Sequence, residues 1–437
     1  MSSPESIAPA AAIASDLAQS ILDSVDAGFE EQLATTADLV RMPSLRGQEH
    51  TAQDFIFHQL KRRGYAMDRW AIDVDDIKHH PGFSPVTVSY ENAINVVATH
   101  HPRHEAGRSL ILNGHIDVVP TGPVEQWNRP PFEPHIEDGW MYGRGAGDMK
   151  AGLVAEIYAL DALRRIGYQP ASTVYLQSVT EEECTGNGAL ACLVRGYRAD
   201  AALIGEPTQE RLTRGNMGVI WFQVKVQGRP VHVAQATTGS NAIMAAYDLI
   251  LALKQLEAKW NGQKAEFPRY AEMNHPINLN IGKIEGGDWA SSVPAWCTFD
   301  VRTSLYAGVK PAEITREIED CLRGASRGHA FLANNPPEVV YNGFMAEGYV
   351  LEEGSAAEDT LFRAHGRSMS QELQSAMTPA YVDARVFMLY DDCPALVYGP
   401  KSESVHGFDE RVDVDSIRQI TGTMALFIAE WCGLEKL

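Results

Sequence analysis

The chain has 437 residues, of which 45% are hydrophobic and 22% are charged, and its formal net charge is −20. This length exceeds what one hydrophobic core usually supports, so the sequence predicts a globular protein with two domains. The strong negative charge argues against nucleic acid or an anionic membrane as a partner.

The first 28 residues are rich in alanine and serine and predict a loosely ordered extension. They lack the basic start and the long apolar centre of a secretory signal. No apolar run approaches the ~20 residues of a membrane span. The six cysteines form no C-x-x-C pair, which favours reduced thiols over a disulfide framework or a zinc finger. Together these features predict a cytoplasmic protein.

The first part of the chain alternates helical and strand patterns. Apolar spacing predicts helices at residues 29–40 and 51–63, followed by a loop at Ile72–Tyr90. Short apolar runs then predict strands at Asn95–Thr99, Leu110–Leu112, Ser172–Val179 and Ala201–Ile204. Helical patterns lie between the later strands, at Ala151–Ile166 and Gly188–Tyr197. This alternation predicts an α/β fold with a mostly parallel sheet flanked by helices.

The pattern changes near residue 213. Val219–Val226 alternates apolar and polar residues, and a helix, two alternating strands, a second helix and a short strand near Val339 follow. The order β-α-β-β-α-β is typical of a ferredoxin-like α+β module. Helix and buried-strand patterns return after about residue 346. The sequence therefore predicts one domain made of residues 29–212 and 346–437, with a second domain inserted at residues 213–345.

Histidines and carboxylates follow the predicted strands of the first domain. His115 and Asp117 follow one strand and point the same way, because a strand alternates faces with period two. The other candidates are Asp148 after a glycine-rich turn, the triplet Glu181-Glu182-Glu183, Glu206 and His406. Taken singly, an H-x-D pair or a glutamate triplet is commonly a hydrogen-bonded pair or a solvated turn. Their convergence at the strand ends of one sheet favours a metal site.

These residues carry a resemblance to a known family. The segments that match are NGHIDVVP (113–120), YGRGAGDMK (142–150), Glu182-Glu183, GEPT (205–208), GRPVH (228–232), GSNA (239–242) and His406. They resemble the M20 metallopeptidases and deacylases, in particular the branch of acetylornithine deacetylases and succinyl-diaminopimelate desuccinylases. The resemblance covers nearly the whole chain from about residue 29. It implies a zinc-hydrolase domain and an inserted domain that acts as a lid and in dimerisation.

The resemblance also implies a metal centre with two Zn²⁺ ions, which Co²⁺ or Mn²⁺ could replace. Asp148 would bridge both ions, His115 and Glu206 would complete one site, and Glu183 and His406 the other. The Asp117 carboxylate would fix the tautomer of the His115 ring. Glu182 would be the general base, although a slip of one residue in the triplet would give that role to Glu181.

Within the inserted domain, the resemblance implies that His232 reaches the active site of a partner subunit and stabilises an oxyanion, which predicts a homodimer. Asn278 and Arg302 would hold the substrate carboxylate. Ala236 and Ser292 depart from the usual Pro and Asn of the family, and neither is a metal ligand.

The resemblance predicts an enzyme that hydrolyses the amide bond of a small N-acyl-amino acid, as acetylornithine deacetylases do, with a metal-activated water. A carboxypeptidase, a dipeptidase or a desuccinylase on the same scaffold is the alternative. A single-metal variant and a non-catalytic relative are more distant alternatives, and the second is disfavoured because every implied ligand and the base are present.

Overall fold

A computed structural model of the chain describes residues 13–437. The helices are α1 (Ser15–Val40), α2 (His50–Arg62), α3 (Val74–Ile77), α4 (Ala151–Arg165), α5 (Asn187–Arg195), α6 (Ala242–Gly262), α7 (Pro311–Arg327), α8 (Ala356–Met369), α9 (Ala384–Tyr390) and α10 (Val414–Cys432).

The strands are β1 (Ala66–Ala71), β2 (Ile94–His100), β3 (Leu110–His115), β4 (His135–Glu137), β5 (Trp140–Tyr142), β6 (Tyr168–Pro170), β7 (Val174–Val179), β8 (Ala202–Ile204), β9 (Leu212–Asn216), β10 (Gly218–Gln227), β11 (Leu279–Gly286), β12 (Trp296–Leu305), β13 (Glu338–Val340), β14 (Met345–Ala346), β15 (Ser375–Thr378), β16 (Ala395–Val397), β17 (Ser402–Glu403), β18 (Arg411–Asp413) and β19 (Leu434–Lys436).

The largest sheet has the strand order β1-β2-β7-β3-β8-β16-β9-β15. Its centre, β7-β3-β8-β16, is parallel, and β2 and β1 add antiparallel strands at one side. Helices α1, α4, α8 and α10 pack together, whereas α3, α5 and α9 form a second group. The prediction of an α/β fold with a mostly parallel core and flanking helices is confirmed.

The N-terminal prediction is wrong in part. Residues 1–12 lie outside the described residues, but residues 15–28 are not loosely ordered, because α1 begins at Ser15. Ala18, Ile21 and Val25 lie on one buried stripe of this helix, which packs against α4 and α10. Spacing of three and four residues is the signature of an amphipathic helix, and the high alanine and serine content obscures it in the sequence.

A second, antiparallel sheet has the order β11-β12-β10-β13, with β14 also paired to β10. Helices α6 and α7 pack on it around a separate hydrophobic core. Phe222, Val224 and Val226 point into that core, whereas Lys225 is exposed. The order of strands and helices is that of the predicted ferredoxin-like module.

A small sheet, β17-β18-β5-β4, joins β5, which precedes the glycine-rich turn, to β17 and β18, which flank His406 in the chain. The pairing of β5 with β18 thus brings two distant parts of the chain together. Among residues 13–437, no helix is long and apolar enough to cross a membrane.

Candidate metal centre and active site

His115 is the last residue of β3 and lies, almost fully buried, where the parallel strands end. Its Nδ1 lies 2.9 Å from the backbone oxygen of Asp117, and its Nε2 lies 3.1 Å from Asp148 Oδ1. Because a carbonyl oxygen only accepts, Nδ1 carries the hydrogen and the Nε2 lone pair is available to a metal. The sequence assigned this contact to the Asp117 carboxylate, whose Oδ1 lies 3.7 Å away.

Asp148 lies between the two histidines. Its Oδ1 contacts the His115 ring, and its Oδ2 lies 3.3 Å from His406 Nε2. The same His406 nitrogen lies 3.1 Å from Glu183 Oε2. One carboxylate therefore has an imidazole on each side.

A buried ion pair holds Asp148 in place. The backbone N–H groups of Gly147 and Asp148 both donate to Glu410 Oε1, at 3.0 Å. The guanidinium of Arg144 pairs with the other Glu410 oxygen, and both side chains are buried. The peptide bond between Asp148 and Met149 is cis. Arg144 and Glu410 thus act through the backbone, not at the site itself.

Glu206 and Glu182 complete the group around His115. Their nearest carboxylate oxygens lie 3.8 and 4.0 Å from His115 Nε2. Two sets of three residues could each hold a metal ion: His115/Glu182/Glu206 and His115/Asp148/Glu183. Within each set, the ligand atoms lie within 4.8 Å of one another. Burial raises the pKa of Glu182 and Glu206 well above the usual range, and the His115 charge only partly opposes this. So many carboxylates at one place favour a cation.

An unpartnered oxygen favours a cation here. Glu206 Oε1 is buried and has no hydrogen-bond partner among residues 13–437. A buried carboxylate oxygen without a partner is costly, and a bound cation removes that cost. Carboxylates together with imidazole nitrogens are a donor set that suits Zn²⁺. The residues that would hold metal are His115, Asp148, Glu183, Glu206 and His406.

Glu181 differs from its neighbour Glu182 because its carboxylate is fully engaged. It accepts two hydrogen bonds from Arg46, at 2.6 and 2.7 Å, one from the Tyr90 hydroxyl at 2.6 Å and one from the Thr185 hydroxyl at 2.9 Å. Among the described residues, no donor contacts the Glu182 carboxylate at hydrogen-bond distance. Of these two carboxylates, Glu181 is therefore held by four hydrogen bonds, whereas Glu182 accepts none from residues 13–437.

The segment predicted as a loop at Ile72–Tyr90, for which no role was predicted, contacts the glutamate triplet through Tyr90. Besides the Tyr90 contact, the Ser84 hydroxyl donates to the Thr185 carbonyl at 2.7 Å. The same hydroxyl accepts from the Met345 backbone N–H at 3.0 Å. Since Met345 begins β14, this loop connects the glutamate loop to the second sheet.

We expect Tyr90→Phe to lower the unfolding temperature, because it removes a short hydrogen bond to a buried carboxylate. Such bonds contribute roughly 1.5–3 kcal/mol. Differential scanning calorimetry would measure the change. The matched control is Tyr175→Phe, since the half-buried Tyr175 hydroxyl has no protein hydrogen-bond partner in residues 13–437. Equal unfolding temperatures for the two variants would contradict this role of Tyr90.

Glu49, buried beside this network, makes stability depend on pH. Burial raises its pKa to about 7, the charge of Glu181 adds to the rise, and the Gly47 N–H opposes it. A carboxyl whose folded pKa is raised stabilises the fold at low pH, and that stability is lost as the pH rises through 7.

We therefore expect Glu49→Gln to raise the unfolding temperature at pH 8, by the equivalent of roughly 2–3 kcal/mol, and to change little at pH 5. Thermal unfolding at both pH values would measure this. Glu133→Gln, at an exposed position, is the control, and its effect on the unfolding temperature should be the same at pH 5 and pH 8. A Glu49→Gln effect of equal size at pH 5 and pH 8 would show that titration is not the cause.

A cavity of about 990 Å³ opens over the metal-site residues. It lies between the two sheets and has lining residues from both, including Asp148, Glu182, Glu183, Glu206, His406, Trp221, Asn280, Arg302, Phe344, Met377 and Tyr381. An apolar cleft with a few convergent polar groups is the usual form of a small-molecule site.

Two predicted residues lie apart from this cavity. His232 is exposed beside the second sheet, where its Nδ1 accepts from the Ala234 N–H at 3.1 Å. Asn278 is also outside the lining, and its side chain donates to the His275 carbonyl at 3.2 Å. Asn280, two residues later, pairs with Arg302 across β11 and β12, and both line the cavity. The resemblance implied Asn278, but the period-two alternation at residues 277–281 places Asn280 on the same side as Asn278, and that signal could have identified it.

Comparison with known proteins decides the family. The profile of the Peptidase family M20/M25/M40 matches residues 111–430, which is most of the chain. The chain belongs to this family. As an M20 protein it is a hydrolase of amide bonds from a metal-dependent family, as the sequence predicted.

Curated M20 relatives extend over nearly the whole chain. An N-formyl-4-amino-5-aminomethyl-2-methylpyrimidine deformylase of Halalkalibacterium halodurans is 30% identical, over 96% of this chain and 98% of its own. A succinyl-diaminopimelate desuccinylase of Ralstonia nicotianae is 28% identical, over 89% and 96%. The solved structure of the dipeptidase Dug1p from Saccharomyces cerevisiae has a TM-score of 0.76 at 16% identity, covering 96% and 99%, and shares the fold.

Proposed function

We propose that the protein is a two-zinc deacylase that removes a short acyl group from a small amine, with Glu182 as general base. The arrangement at Asp148 carries this proposal: an imidazole contacts each of its oxygens, and the buried Glu182 carboxylate lies nearby with no hydrogen-bond donor from the part of the chain that the structure describes. When bound, the zinc ions would polarise the amide carbonyl and lower the pKa of water.

Each protein group then has a defined task. Glu182 takes a proton from the attacking water and returns it to the leaving nitrogen, for which its raised pKa suits it. Asp117 orients two neighbours, since its backbone oxygen accepts from His115 and its Oδ2 accepts from the Glu183 N–H at 3.1 Å. Arg302 offers a guanidinium in the cavity for a carboxylate or another acceptor of the substrate.

The substrate is an N-formyl, N-acetyl or N-succinyl amine, with N-acetylornithine as the reference compound. The names of the two curated relatives, a deformylase and a desuccinylase, support acyl removal over peptide cleavage.

The decisive experiment is hydrolysis of formyl, acetyl, succinyl and dipeptide amides before and after chelation and Zn²⁺ or Co²⁺ restoration. We expect turnover of acyl amides that chelation abolishes and metal restores. Turnover of dipeptides alone would replace the deacylase proposal with a dipeptidase. Turnover that survives complete metal removal would exclude the metal mechanism.

We further propose that residues 213–345 form a lid and join two copies of the chain. Ile243, Tyr247 and Leu251 recur every four residues on an outward face of α6, and each is exposed. Ile284 and Trp289 extend the apolar surface at the β11–β12 hairpin, and Trp289 is 73% exposed. Large exposed apolar patches are typical of protein interfaces.

Sedimentation equilibrium tests this interface. We expect a dimer for the unmodified protein and a monomer for Leu251→Lys, because a lysine ammonium would be buried unpaired in the interface. Ala312→Lys, on the exposed start of α7, is the control and should remain dimeric. A monomeric unmodified protein at micromolar concentration would overturn the proposal.

Subunit complementation tests whether His232 acts in the partner's site. When His232→Ala and Glu182→Gln chains are co-expressed, some dimers contain one chain of each kind. If His232 acts in the partner's site, one of the two sites in such a dimer has both an intact Glu182 and an intact His232. Statistical pairing then predicts about a quarter of the unmodified activity, although each variant alone is nearly inactive. If co-expression restored no activity, His232 would not act in the active site of the partner subunit.

We infer a cytoplasmic location from the cysteines. All six are free thiols in the structure, which is typical of a reducing compartment.

A further inference from the structure

Three aromatic side chains form one wall of the cavity. Trp221 lies on β10, Phe344 directly precedes β14, and Tyr381 lies just before α9. The rings of Trp221 and Phe344 meet edge to face with centroids 5.3 Å apart, and those of Phe344 and Tyr381 lie 4.4 Å apart. All three line the same cavity as Glu182 and Asp148. The wall therefore faces the space that a substrate would occupy.

The wall is held rigidly by its surroundings. The Trp221 backbone N–H donates to the Phe344 carbonyl at 2.8 Å, and the Tyr381 hydroxyl donates to Asp383 at 3.0 Å. A Cβ at Gly343 would lie 2.6 Å from the Trp221 ring, so the indole packs directly against that backbone. A preformed surface loses little conformational entropy when a ligand binds.

Polar side chains on the neighbouring strands continue the aromatic wall. Trp221 pairs with Arg302 across β10 and β12, and Arg302 pairs with Asn280 across β12 and β11. Directly paired residues share a face of a sheet, so this row continues the wall with a guanidinium and an amide. The surface thus combines an apolar, π-rich part with donors for acceptor atoms at a ring edge or its substituents.

We propose that this wall is the subsite for a planar aromatic or heteroaromatic ring on the amine side of the scissile amide. The inference rests on the proposed deacylase function and specifies its substrate class. The ring is assigned to the amine side because the acyl group in that function is short. Aromatic walls favour a ring over a saturated group of the same size, because edge and face charges are complementary.

A matched pair of substrates tests the proposal: N-acetylbenzylamine and its saturated counterpart N-acetyl-(cyclohexylmethyl)amine. We expect kcat/KM to be about three- to tenfold higher for the aromatic amide, mainly through KM. Trp221→Leu should remove this preference, and Trp221→Phe should retain most of it. Trp70→Leu, at the edge of the large sheet and outside the cavity lining, should leave it unchanged.

Equal kcat/KM values for the two amides would overturn the inference while leaving the deacylase proposal intact. The inference would also be overturned if Trp221→Leu lowered kcat/KM for both amides by the same factor, because the preference for the aromatic amide would then not depend on Trp221. Absence of turnover with every acyl amide would instead contradict the deacylase function. In that case, isothermal titration calorimetry of the Glu182→Gln variant with benzylamine and cyclohexylmethylamine still tests whether the wall binds an aromatic ring. Tighter binding of benzylamine would support the subsite, and equal binding of the two amines would reject it.

Discussion

Glu182→Gln is expected to lower kcat by roughly 10²- to 10⁴-fold, which is the usual contribution of a general base. The substitution keeps the side-chain shape but removes the proton acceptor. Because the proposed metal ligands do not include Glu182, zinc content should stay unchanged by elemental analysis. The unfolding temperature should not fall, since the Glu182 carboxyl group is buried and accepts no hydrogen bond from residues 13–437.

Glu181→Gln is the matched control at the adjacent position. Its carboxylate holds Arg46 and Tyr90, so we expect a lower unfolding temperature and a smaller loss of kcat. If Glu181→Gln removed catalysis while Glu182→Gln kept it, the base would be Glu181, as a slip of one residue in the triplet implies.

Asp148→Asn is expected to have the largest effect on metal binding, because one carboxylate contacts both histidines. We expect its zinc affinity to fall by more than about 100-fold and turnover to be lost with it. Competition with a zinc-binding fluorophore would measure the affinity of each site.

Asp117→Asn is the control for Asp148→Asn. The Asp117 backbone oxygen, which fixes the His115 ring, survives the substitution, and only the acceptor for the Glu183 N–H is weakened. Outer carboxylates of this kind typically change metal affinity by about 10- to 100-fold. An Asp148→Asn chain that binds two zinc ions as tightly as the unmodified protein would refute the bridging role.

Local pattern was sufficient for much of this fold. The parallel centre of the large sheet and the ferredoxin-like module follow from apolar periodicity, because strand and helix burial have different repeats. The same reasoning failed at Ser15–Gly28, where small residues give a weak apolar signal. There, packing against α4 and α10 decides the structure.

The sequence by itself determined the family and the candidate ligands, because the motifs around His115, Asp148 and Glu206 are contiguous and follow predicted strands or a glycine-rich turn. Only the tertiary structure shows that Glu181 and Glu182 differ in their hydrogen bonds. The Arg46 and Tyr90 contacts to Glu181 span 135 and 91 residues, and no local pattern records partners so far apart. The same holds for the aromatic wall, whose three rings come from separate segments of the chain and meet only in the folded structure.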